Sequence, residues 1–184
     1  MISGPTRVLL IASVIWVLGD GMLGPLFAVF AEEVGGNIFD ITYAWAIFLI
    51  VTGVGIIIVG KLSDWLGRQI LMLIGYVCST IFTFGYLWVN SPSDLFIIQA
   101  GLGVGLALSQ PTWMALYDKY SGDGRNDGLL WGLTDGLAYT FSGIAIVLGG
   151  VIVTHFSFDT LFIVMGTLMA ISTIYQAKIL RYRE

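Results

Sequence analysis

The chain has 184 residues, 57% of them hydrophobic and only 11% charged, with a formal net charge of −4. Soluble domains carry about 25% charged residues, and one small core cannot hide this much apolar side chain, so an ordinary cytosolic enzyme, a disordered segment and a nucleic-acid-binding domain are excluded, the last also by the missing basic footprint. One cysteine, Cys78, and one histidine, His155, leave no internal disulfide framework and no zinc-type cluster; an integral membrane protein with no metal or cofactor is expected.

A spanning helix needs roughly 20 mostly apolar residues. Six stretches qualify, at about 8–31, 41–60, 69–89, 95–117, 129–153 and 158–178, making one transmembrane domain over 1–184. A transmembrane barrel would show alternating segments of about ten residues, which these continuous runs do not. Val29 and Ala31 before Glu32 sit where a signal peptidase reads small residues, but the run is too long, contains Asp20 and follows only Arg7.

In chain order, the first span places Trp16, Asp20 and Gly24 on one helical face, an aromatic shelf beside an acid. An ionisable residue at that depth is a functional candidate, titrating or binding a cation; the alternative is a structural acid hydrogen-bonded to a neighbour. The connection after the second span reads Gly60-Lys-Leu-Ser-Asp64-Trp-Leu-Gly67-Arg68-Gln69, expected as a tight turn in which Asp64 pairs with Arg68 or caps a helix. The fourth span carries a stripe of Gln99, Gly103, Leu106, Gln110, Trp113 and Tyr117, facing either an aqueous cavity or a helix seam. Its Gly101, Gly105 and Ser109 form a small-residue face suited to close packing. Asp118 and Arg125 flank the next loop, as a gate pair or as exposed ions. The fifth span groups Trp131, Asp135, Tyr139 and Ser142 on one face and Gly128, Gly132, Gly136 and Thr140 on another, the latter reading as a packing seam. Tyr43, Trp45, Trp88 and Tyr182, near span ends, read as interfacial anchors.

All eight basic residues, Arg7, Lys61, Arg68, Lys119, Arg125, Lys178, Arg181 and Arg183, fall at the N-terminus, loops 2–3 and 4–5, or the C-terminal tail. The positive-inside rule then puts both termini in the cytoplasm of a multi-pass cell-membrane protein. The bias argues against dual topology, so a dimer would be parallel.

The loop 2–3 string resembles the signature of the major facilitator superfamily, Gly-x-x-x-Asp-Arg/Lys-x-Gly-Arg-Arg/Lys. Gly60, Asp64, Gly67 and Arg68 match it, while Trp65 and Gln69 depart from it. The resemblance implies a cytoplasmic gate in which Asp64 caps a helix of another half and Arg68 pairs with Asp118. Leu18-Gly-Asp-Gly-Met-Leu-Gly-Pro25 and the glycines at 101, 103 and 105 also look like that family, although the family's helix 4 arginine is Gln99 here. The likeness implies an all-α fold of two inverted three-helix repeats, one half of the usual twelve-helix protein.

A single half would leave its cavity wall facing lipid, which a second copy, a separate partner half or the rest of a longer transporter chain would cover. The expectation is therefore a secondary transporter working as a parallel homodimer by alternating access, proton coupling included among its possible drives. Its substrate would be a small organic molecule, cationic or amphipathic, held near the midplane by Trp16, Asp20, Gln99, Gln110, Trp113, Asp135 and Tyr139. The alternative is a non-transporting membrane subunit or stability factor. No nucleophile–base set supports an enzyme.

Overall fold

The computed structural model describes residues 3–121 and 127–182, and its regular elements are helical throughout. Helix α1 (Gly4–Asp20) starts on Ser3, whose hydroxyl accepts the Thr6 N–H at 3.3 Å. It stops at Asp20, earlier than the expected continuous span over 8–31. The cause is local: Pro25 has no N–H to return to the Gly21 carbonyl, and Gly24 takes a positive φ of 21°. The chain resumes as α2 (Leu26–Glu33), so the stretch expected as the first span is two helices with a non-helical joint at 21–25.

An asparagine–aspartate capping box opens α3 (Ile38–Leu66): Asn37 Oδ1 accepts the Phe39 and Asp40 N–H groups, and the Asn37 N–H donates to Asp40 Oδ2 at 2.9 Å. The helix runs past the expected end near residue 60. The turn read from the sequence at 60–69 shrinks to Gly67 alone, whose φ of 84° breaks the path before α4 (Arg68–Gly85). A 3₁₀ turn, Tyr86–Trp88, follows. Asp94 then folds back on its own N-terminus to accept from the Asn90 and Ser91 N–H groups and the Ser91 hydroxyl, opening α5 (Pro92–Ser121). Helices α6 (Asp127–His155) and α7 (Phe158–Gln176) complete the bundle, with Ser157 capping α7 and a last 3₁₀ turn at Ala177–Arg181.

Helices α3 to α7 supply five segments long and apolar enough to cross a membrane; the sixth expected span is the broken pair α1 and α2. Helix α1 packs on α7 and α6, α5 packs on α4 and α3, and α4 meets α7 between them. The α4–α5 seam is tight because of its small residues. A Cβ on Gly75 would stand 2.6 Å from the Gly105 carbonyl oxygen and 2.7 Å from the Ser109 nitrogen. That face was legible as a packing seam. The α6 face was read the same way, yet a Cβ on Gly128, Gly132 or Gly136 would meet nothing within 4 Å. Within one chain that stripe is open. Only 11% of the hydrophobic stretches of α3 and α6 is buried, against 50% for α5.

Two apolar clusters hold the bundle. One gathers the joint, α2 and the neighbouring helix ends, with Phe30 among Phe158, Phe162 and Tyr86. The other gathers the start of α1, the start of α4 and the end of α5, around Leu9, Met72, Leu116 and Tyr117.

Candidate functional site

Between the two clusters the helices do not close, and a cavity of about 310 Å³ remains. Its position follows from the break in the first span. Trp16 and Asp20 project from the last turn and a half of α1; Gly21, Leu23 and Gly24 come from the joint, and Phe27 from α2. Trp45 and Phe48 of α3, Ser79 and Thr83 of α4, Tyr86, Gln99 and Leu106 of α5, Ser142 and Ile146 of α6 and Met165 of α7 complete the wall. Side chains four apart on one helix share a face, which is why Trp16, Asp20 and Gly24 arrive together.

The buried polar groups are mostly matched. Gln99 Nε2 donates to the Tyr86 hydroxyl at 3.1 Å, and Tyr86 is stacked on Phe162 with ring centroids 4.9 Å apart. The Thr83 hydroxyl donates to Met169 Sδ. Asp20 is different: its carboxylate has neither a hydrogen-bond donor nor an ion-pair partner among the described residues, and it is open to the cavity. The nearest basic residue on its helix, Arg7, is 13 positions away, about 20 Å along the axis. A carboxylate so placed in an aromatic chamber can take up a proton or a cation. No group of histidine, cysteine and acidic residues fit to hold a metal ion occurs among the described residues.

Of the residues read from the sequence, the structure brings Trp16, Asp20 and Gln99 to this cavity. Gln110, Asp135 and Tyr139 do not line it; they are exposed on the flanks of α5 and α6, Tyr139 by 81%. Trp113 lies in a packed aromatic stack, parallel to Tyr117 at 4.9 Å, and Trp131 meets the same tyrosine edge-on. The Tyr117 hydroxyl donates to the Leu130 carbonyl and accepts from Thr134 Oγ1, tying α5 to α6. Trp45, expected as an interfacial anchor, is half exposed and also lines the cavity. Tyr86, Phe48 and Ser79 were not singled out; Ser142 was grouped with Trp131, Asp135 and Tyr139 on one face of the fifth span, and of these it alone lines the cavity.

At the end of the bundle where α1 and α4 begin and α5 ends, neutral groups take part in the fastening. Buried Gln69 donates to the Tyr120 hydroxyl at 3.0 Å and to the Tyr182 carbonyl at 2.9 Å. The Ser3 and Thr6 hydroxyls both donate to the Tyr120 carbonyl. Of the expected gate, Gly60 is helical and exposed, Gly67 is the break, Arg68 is half-buried at the start of α4, and Asp118 is exposed near the end of α5. Arg125 and the side chain of Asp64 lie outside the described residues.

The model of the Major Facilitator Superfamily matches residues 9–184. The chain is similar to the multidrug resistance protein MdtG of Escherichia coli O1:K1 and to MdtG of the K12/DH10B and SE11 strains. Each is 20% identical over 180 residues, covering 96% of this chain and 44% of the relative. The chain thus spans less than half the length of these relatives.

Proposed function

The chain belongs to the major facilitator superfamily, and from that premise we propose that it is one six-helix half of a secondary membrane transporter that works by alternating access as a parallel homodimer. The observation that carries this reading is the unpartnered Asp20 carboxylate at the break in the first span, open to a chamber inside the bundle. Membrane acids without a partner are costly unless they bind something.

The contact pattern supports two inverted repeats. Exchanging α1 with α5, α3 with α6, and α4 with α7 turns each major contact into another: α1 on α7 becomes α5 on α4, and α1 on α6 becomes α5 on α3. The sparsely buried α3 and α6 then sit in equivalent places. Asp135 and Tyr139 on α6 and Gln110 on α5 would face hydrocarbon in a lone half, so a second unit on this side relieves that cost. The 44% coverage of the MdtG relatives agrees with a unit that needs a second half.

In the proposed cycle, Asp20 binds the coupling proton or the substrate's positive charge, and the two copies rock about their shared axis. Gln110, Asp135 and Tyr139 line the passage between the copies, while Gly60, Asp64, Gly67, Arg68, Asp118 and Arg125 make up the gate on the basic end. That end is cytoplasmic by the distribution of Lys and Arg. The substrate is a small organic cation or amphipath, in keeping with the drug-resistance label of the relatives.

The test is pH-gradient-driven uptake of ethidium into proteoliposomes. Wild-type protein is expected to accumulate it, and Asp20→Asn to lose accumulation while exchange without a gradient persists. Accumulation by Asp20→Asn equal to wild type would remove Asp20 from coupling, and no flux by any variant would favour a non-transporting subunit.

A further inference from the structure

Helix α3 is sparsely buried, and its two flanks differ in kind. Small residues set its seam with α5: a Cβ on Gly55 would stand 2.6 Å from the Ala107 Cβ, and one on Gly103 would stand 3.1 Å from the Val51 Cβ. At about 3.6 residues per turn, Gln99, Leu102 and Leu106 fall on one side of the Gly103–Ala107 line and Val104 and Leu108 on the other. The first three face the chamber. The last two, with Ile50, Val54 and Ile58 of α3, line a separate groove of about 400 Å³ whose lining side chains are all apolar. Buried Val59 and Ala107 form its floor, and exposed Ile50, Val54 and Ile58 its rim. Ile58 is shared with a second hollow of about 380 Å³, walled by Ile57, Lys61, Leu62 and Trp65, so the depression runs along α3 from residue 50 to residue 65.

We propose that this depression is the binding site of one anionic phospholipid of the cytoplasmic leaflet, with an acyl chain between α3 and α5 and the headgroup phosphate on Lys61 and Trp65. The choice of leaflet rests on the transporter reading, in which the basic end is cytoplasmic; the site needs neither a substrate nor a second copy.

Its length matches one leaflet. Ile50 and Lys61 are 11 positions apart, about 16 Å of helix, against about 15 Å for the hydrocarbon of one leaflet. The lysine therefore stands where phosphates begin, and its alkyl stem can follow the groove while the ammonium reaches the headgroup. Trp65, one turn further on and 89% exposed, lies at the depth where indole rings collect.

The headgroup is selected by donors and charge. This end of the depression offers side-chain donors only, the Lys61 ammonium and the Trp65 indole N–H, and phosphate oxygens accept from both. No acidic side chain lines either hollow, and Lys61 forms no ion pair among the described residues. A zwitterionic headgroup brings a cation of its own against Lys61; a net-negative one does not. A second copy leaves the groove free. Gln110, three residues past Ala107, falls on the chamber side of the same line, so a copy that covers it approaches the other flank of α3. Lipid is then what fills the groove, since a gap along its walls forfeits dispersion contacts.

Native mass spectrometry of the whole purified chain tests the site, with phosphatidylglycerol and phosphatidylcholine of matched acyl chains offered together in detergent. One phosphatidylglycerol per chain is expected to be retained in preference to phosphatidylcholine. Lys61→Gln is expected to cut that preference about fivefold, the worth of one lysine at an anionic surface, and Lys61→Arg to keep it. Val104→Phe, which fills the apolar part of the groove, is expected to lower phosphatidylglycerol retention severalfold. Unchanged helicity and a single elution peak identify variants that remain folded. Equal retention of the two lipids by folded wild type, a preference that Lys61→Gln leaves intact, or retention that Val104→Phe leaves intact would each overturn the proposal. One lipid per two chains would overturn it as well, by moving the site to a seam between copies. Lipid preference without ethidium flux would spare this site and sink the carrier; flux without lipid preference would do the reverse.

Discussion

Gln69 shows how one side chain can stand in for a charge. At the basic end of the bundle its amide joins the start of α4 to the Tyr120 hydroxyl and to the Tyr182 carbonyl near the C-terminus. Replacing it with leucine removes two part-buried hydrogen bonds, at a cost of about 0.5–1.5 kcal/mol each; Gln69→Leu is expected to lower the thermal midpoint in detergent, and an unchanged midpoint would show the link to be idle. Tyr117→Phe is expected to be milder, near 1 kcal/mol by the same assay, since it removes a hydroxyl that both donates to Leu130 and accepts from Thr134. At this scale the sequence was informative where helical spacing alone decides. Trp16, Asp20 and Gly24 share a face in any α-helix and do line the cavity together. Trp45 was read as an interfacial anchor from its place near a span end; it is half exposed and also reaches the cavity. What settles its place is the packing of α3 against α5, a contact between residues far apart in sequence. Trp113 misled in the other direction: its stripe is polar and aromatic, but the stack with Tyr117 and Trp131 consumes it.

Among the elements, the glycines separate into those that permit close contacts and those with open space around them in one chain. Gly75→Ala would push a Cβ against backbone atoms of Gly105 and Ser109 that cannot swing away. The expected penalty is about 1–3 kcal/mol in the folded chain, read as a lower unfolding midpoint. Gly132→Ala has open space around it and removes a glycine from a helix interior. In a lone chain it should be neutral or stabilising by up to about 1 kcal/mol. In a seam between copies it should weaken self-association, so comparing the midpoint with the dimer fraction separates the two roles. The break in the first span was visible in Gly21, Gly24 and Pro25, yet hydropathy runs straight through it, because apolar content carries no record of a missing N–H. Likewise, the signature glycines at 60 and 67 look alike in sequence, and only Gly67 meets a backbone demand, with φ at 84°. Gly67→Ala is expected to cost about 1–3 kcal/mol by the same thermal assay, while Gly60→Ala, in open space inside α3, should leave the midpoint unchanged or raise it.

For the whole molecule, composition alone dictated the membrane class, and five of the six expected runs are helices long and apolar enough to cross a membrane. What composition could not supply is which apolar faces meet lipid and which meet protein, because a membrane hides both from water alike. In the proposed reading the polar residues bear on that question. Asp135, Tyr139 and Gln110 are exposed on α5 and α6, the open glycine stripe runs along α6, and α3 is as sparsely buried as α6. The account therefore stands on a second copy covering this side. The most direct measurement is the mass of the protein particle in lipid nanodiscs loaded below one particle per disc. Two chains per disc are predicted, falling toward one in Gly132→Leu; a single chain per disc for the wild type would contradict the account.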